Sequence, residues 1–145
     1  MGRRRFVIVA GLTGVASALA VGREALATSD DEAIGEHPVI TLPKAWNSYP
    51  SAQVVGDLAL HDNCLLLGGE VVFWPHGTGW DSSAQTVTLD GLPPVSVGEV
   101  FDGGGGHYGP GVDFDSWLGD ETGAAIEDCL RRTNAPGVVY AYASP

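Results

Sequence analysis

The sequence predicts a mainly β protein: a small antiparallel β-barrel or curved sandwich, oligonucleotide-fold-like, with one short helix near the C-terminus. Three observations lead there. Between residues 53 and 101, apolar runs of strand length are separated by turn residues such as Asp62-Asn63, Gly68-Gly69 and Asp90-Gly91. Only one later stretch, 123–132, carries apolar residues at helical spacing. The chain has 145 residues, enough for one small core and no second one after its N-terminal leader is set aside.

That leader is residues 1–27, which read as an export signal. Arg3, Arg4 and Arg5 form a positive end, Phe6 to Gly22 is apolar and uncharged, and Ala25-Leu26-Ala27 has the small-residue pattern of a cleavage site. The alternative is an uncleaved anchor, since 17 apolar residues lie at the short end of what spans a bilayer. The arginine run also fits a twin-arginine signal loosely, although Gly2 stands where Ser or Thr is usual. Without residues 1–27, Lys plus Arg falls from 7 to 3 and Asp plus Glu from 18 to 17, so the net charge moves from −11 to −14. A surface this acidic repels phosphate backbones and anionic lipid heads, which argues against a nucleic-acid partner. A membrane association is expected only if the signal is not cleaved.

Residues 28–50 are expected to form a flexible or edge N-terminal segment, and 51–145 a small β-barrel domain. Thr28 to Glu36 is too polar to offset its ordering entropy. Val39, Ile40 and Leu42, bracketed by Pro38 and Pro43, fit a short edge strand. Trp46 and Tyr49 either pack onto the domain or form an exposed contact. Leu58 and Leu60 point to one side of a strand, with Asp57, Ala59 and His61 on the other. Asp62-Asn63 reverses the chain, and Gly68-Gly69 forms a two-residue hairpin loop of the primed type. Val71, Val72 and Phe73 are apolar in succession, the mark of a strand covered on both faces, and Pro75 ends it. Residues 75–83 read as a loop and 85–89 as a half-buried strand. Val95, Val97, Val100 and Phe101 read as one further strand with a bulge at Gly98.

The four glycines Gly103 to Gly106 are expected to form a mobile or tightly wound loop, and 111–121 an irregular acidic segment. Thr122 or Asp120 caps the helix, with Ala125, Ile126, Cys129 and Leu130 on its buried face and Arg131 and Arg132 in the last turn. In the closing strand, Val138, Tyr140 and Tyr142 face one way and Val139 and Ala141 the other.

Chemistry-bearing residues are few. Cys64 and Cys129 in an exported chain are expected to form a disulfide clamping the helix onto the barrel, the alternative being two buried thiols. His61 and Cys64 have a metal-like spacing, but the remaining ligands of a zinc site are missing. Asp113, Asp115 and Asp120 are weak candidates for a cation; the helix-loop-helix calcium pattern fails because Trp117 and Leu118 stand where an oxygen ligand and a glycine are needed. No phosphate loop, nucleophile elbow or marked pair of carboxylates is present, so neither a cofactor nor an enzymatic activity is expected. Possible ligand contacts are Trp80, Trp117, His76 and His107, from loops able to present rings to a sugar or peptide.

The order Gly56-x-Leu58-x-Leu60, Cys64-Leu65, Val71-Val72-x-Trp74-Pro75, Val97-Gly98-Glu99, Gly103-Gly104-Gly105 and a late Cys129 resembles that of uncharacterised small exported proteins and lipoproteins of GC-rich bacteria. The resemblance covers about residues 55–142. It implies a compact β-domain with paired cysteines and transfers no catalytic residues. The lipid-attachment cysteine of some members is missing here.

The sequence therefore points to a secreted or cell-surface β-domain with a binding or structural role and an unknown protein or glycan partner. The alternatives are a weak cation- or glycan-binding module, and a small hydrolase using His76 or His107 with a nearby carboxylate.

Overall fold

The structure, a computed structural model, describes residues 37–143. The expected export signal and the segment up to residue 36 lie outside the described residues. The elements run β1 (Ile40–Thr41), β2 (Ala52–His61), β3 (Cys64–Leu67), β4 (Glu70–Trp74), β5 (Gly79–Asp81), β6 (Thr86–Thr88), β7 (Val95–Ser96), β8 (Val100–Tyr108), α1 (Phe114–Leu118), α2 (Asp120–Thr133) and β9 (Val138–Tyr142).

Five strands close a barrel. β2, β3 and β4 form a meander, β8 pairs with the other edge of β2, and β9 lies between β8 and β4. The β4–β9 seam is parallel and the other four are antiparallel. This is a five-stranded Greek-key order of the oligonucleotide-fold kind, with its main helix placed before the last strand. Both expected reversals are present. Asp62 and Asn63 (φ 48° and 60°) join paired His61 and Cys64, and Gly68 and Gly69 (φ 58° and 86°) join paired Leu67 and Glu70. Positive φ at both central residues gives the ribbon the twist that a barrel needs.

Two apolar layers share the barrel wall. Val54, Leu58, Leu65, Leu67, Val72, Trp74, Phe101, Val139 and Ala141 belong to one cluster. Leu66, Val71, Phe73, Val138 and Tyr140 belong to the other, packed with Ile40, Leu42, Phe114, Leu118 and Ile126. β4 and β9 thus alternate between clusters residue by residue, as their sequences predict. A one-residue register slip would exchange the two sets, so this double burial fixes the register.

Four expectations are corrected. Residues 79–81, read as loop, form β5. It joins β6 and β7 in a separate three-stranded sheet whose Val87 and Val95 cover the first cluster. Residues 95–101 are two strands, because Gly98 (φ 95°) turns the chain out of that sheet into the barrel, its N–H donating to the Leu58 carbonyl. Residues 111–121 include a helical turn, α1, capped by the Asp113 carboxylate, which accepts from the Ser116 N–H at 3.2 Å and its hydroxyl at 2.8 Å. The glycine run is the middle of β8.

α2 begins three residues before the predicted position and ends at Asn134 (φ 54°), whose N–H closes on the Leu130 carbonyl. The Thr122 hydroxyl donates to the Thr41 carbonyl at 2.9 Å, tying α2 to β1. At the other end, Cys129 is disulfide-bonded to Cys64, with Cα atoms 5.7 Å apart. A Cβ on Gly123 would collide with Asp115, so glycine there lets α1 and α2 cross closely. α1 has Phe114 and Leu118 buried and Trp117 outside.

Candidate functional site

The glycines of β8 form a seat for aromatic rings. Gly104 pairs with Tyr142, and a Cβ on it would lie 2.7 Å from that ring. With no side chain there, the Tyr142 ring lies across the strand and its hydroxyl donates to the Pro50 carbonyl at 2.7 Å. A Cβ on Gly106 would meet both Pro50 and the Tyr108 hydroxyl at 3.0 Å. The smooth strip therefore holds the segment 45–50 against the barrel.

That segment completes an aromatic bowl. Trp46 lies 4.7 Å from Tyr140 and 5.6 Å from Trp117, centroid to centroid, and Trp117 lies 4.8 Å from Tyr108. Tyr49 stacks over Tyr140 at 6.2 Å and leans on Tyr142 at 4.9 Å. A concavity of about 450 Å³ is lined by Trp46, Asn47, Ser48, Tyr49, Pro50, Tyr108 and Trp117. Tyr49 and Trp117 are 44% and 43% exposed, which is high for rings already packed on others. None of the seven carries a formal charge at neutral pH. The Asn47 and Ser48 side chains have no hydrogen-bond partner among the described residues.

Tyr140 lies among these rings. Its hydroxyl is fully buried and has no hydrogen-bond partner among the described residues. Burial, with smaller contributions from Tyr49, Tyr142 and Tyr108, pushes its pKa far above the usual phenol value. Burial also raises that of Tyr108. An unpaired buried hydroxyl costs about 1–3 kcal/mol. Tyr140→Phe is therefore expected to stabilise the protein by about 1 kcal/mol in urea denaturation; a loss of stability would show that the hydroxyl is satisfied.

The sequence-predicted contacts divide. Trp117 is in the bowl. Trp80, on β5, packs half-buried against the first cluster. The exposed His76 forms a hydrogen bond through Nδ1 with the Leu42 carbonyl at 3.1 Å. His107 Nδ1 contacts Glu70 Oε2 at 2.6 Å, its only hydrogen-bond partner among the described residues. Asp113 is the α1 cap, and its hydrogen bonds from Ser116 hold its carboxyl below the usual range. Asp115 and Asp120 lie exposed in the first turns of α1 and α2. Among the described residues, no three His, Cys, Asp or Glu side chains gather as a metal site would require. Nor is any helix among them long and apolar enough to cross a membrane.

Sequence reasoning left Trp46 and Tyr49 as either packed on the domain or an exposed contact, and did not single out Tyr108. The available signal was the outward-facing Tyr140 and Tyr142 of β9, which need aromatic or apolar cover. Compared with known proteins, the chain matches no family model, no curated protein and no solved structure.

Proposed function

We propose that this chain is a non-enzymatic, extracytoplasmic binding domain that takes the face of a sugar ring in the bowl of Trp46, Tyr49, Tyr108 and Trp117. The observation that carries the reading is the convergence of four rings, from segments distant in sequence, on one uncharged concavity. The exposed parts of Tyr49 and Trp117 offer polarisable surface to C–H groups, with an amide and a hydroxyl beside them for ring hydroxyls. Its volume falls in the range of small-ligand sites. The leader-like N-terminus and the internal disulfide favour a location outside the cytoplasm.

Nucleic-acid binders use a barrel of this order, but fold alone assigns no function. The net charge of −11 and the lack of Lys or Arg in the bowl oppose phosphate binding. A glycan array followed by calorimetry tests the reading. Trp117→Ala and Tyr49→Ala are expected to weaken a captured glycan by at least about tenfold each, since exposed aromatic anchors contribute on the order of 2 kcal/mol. Unchanged affinity in both variants would reject the bowl as the site.

A further inference from the structure

The bowl is not the only concavity that Tyr49 walls. A second groove, of about 460 Å³, is lined by Ala45, Tyr49, Pro75, His76, Thr78, Leu89, Asp90 and Tyr142, with two small residues between them. Tyr49 is thus a ridge shared by two adjoining concavities, an arrangement suited to an extended ligand of more than one unit.

The two concavities differ in chemistry. In the bowl, the unengaged Asn47 amide and Ser48 hydroxyl can each donate and accept. In the groove, the side chains of His76, Thr78 and Asp90 offer acceptors. The hydrogen bond from His76 to the Leu42 carbonyl places the proton of a neutral imidazole on Nδ1 and leaves Nε2 as an acceptor. The Thr78 hydroxyl proton is donated to the Pro75 carbonyl at 2.8 Å, leaving lone pairs on its oxygen. Asp90 is exposed and has no hydrogen-bond or ion-pair partner among the described residues. Three acceptors, one of them anionic, in a chain of net charge −11, call for a cationic donor. An ammonium group supplies three N–H bonds and the complementary charge.

We infer that the ligand is a linear oligosaccharide containing an unacylated amino sugar, with one ring seated in the bowl and the ammonium of a neighbouring residue held by Asp90 and His76. This inference rests on the proposed sugar-binding role of the bowl and adds the second subsite and its charge preference.

Calorimetry on the full chain at low salt, with glucosamine oligomers, N-acetylglucosamine oligomers and cello-oligosaccharides of equal length, tests it. Glucosamine oligomers are expected to bind at least about tenfold more tightly than the two neutral series. Asp90→Asn is expected to abolish that preference, whereas Asp57→Asn, which removes the same charge from the barrel wall, leaves the preference intact. Trp117→Ala weakens all three series.

Equal affinity across the series overturns the inference but leaves the bowl reading standing. So does an Asp57→Asn effect as large as that of Asp90→Asn, which would mark general charge attraction. Failure of all three series to bind also overturns the inference, and the glycan array then decides the bowl reading separately.

Discussion

Gly105→Ala is expected to cost at least about 3 kcal/mol, the upper range for inserting a group into a packed interior. In a domain of this size, with a total stability of about 5–15 kcal/mol, that is enough to populate unfolded chains. The reason is the site of the collision. A Cβ at Gly105 would overlap the carbonyl oxygen of Tyr140 and approach Val54 Cγ2 at 2.9 Å. The first partner is backbone of the adjoining strand, so no rotamer change relieves it; β8 and β9 would have to separate where Gly105 faces Ala141. Gly109→Ala is the control, with nothing within 4 Å of its added methyl, and should fall within about 0.5 kcal/mol of the parent. Urea denaturation of both variants settles it: equal midpoints would mean that the strip is not needed for closure.

Replacing Cys64 and Cys129 together by Ala is the second large effect. The bond closes a loop with a sequence separation of 65, for which chain entropy gives about 4 kcal/mol. What remains to hold α2 is the packing of Ala125, Ile126 and Leu130 on the second cluster, the close crossing with α1 at Gly123, the Thr122–Thr41 hydrogen bond and the bond from the Arg132 guanidinium to the Asp62 carbonyl at 3.0 Å. The Arg131 and Arg132 pairs with Asp128 lie within the helix surface and do not anchor it. The double variant should keep its barrel and lose several kcal/mol in urea denaturation, with a matching loss when the parent is reduced. A difference below about 1 kcal/mol would show that the unfolded chain is already compact across this loop.

The features that local chemistry decides were readable in the sequence. Asp62-Asn63 and Gly68-Gly69 announce their turns because few other pairs adopt positive φ twice in succession. β4 and β9 announce their burial by unbroken apolar runs, and the two cysteines announce their bond. Elements defined by distant partners were hidden. The strand at Gly103–Gly106 has no side chains to show a period; its conformation is set by Tyr140 and Tyr142, some 36 residues later. α1 has five residues, too few to show an amphipathic repeat, so Trp117 was visible as a candidate but not its neighbours. The segment 45–50 has no regular structure, and only the rings it touches assign it to the bowl.

The parallel β4–β9 seam has a consequence for how the molecule is made. β9 is hydrogen-bonded along both its edges, to β4 and to β8, and it is the most C-terminal of the described strands. Until it arrives, the nascent polypeptide can form the β2–β3–β4 meander, with the two-residue β1 paired to the end of β4, but leaves β8 with a bare edge and β4 only partly covered. Ring closure must wait for contacts spanning nearly seventy positions between β4 and β9, a slow step for a chain of this length. A polypeptide threaded N-terminus first through a narrow channel would thus stay pliable during passage and lock only on the far side.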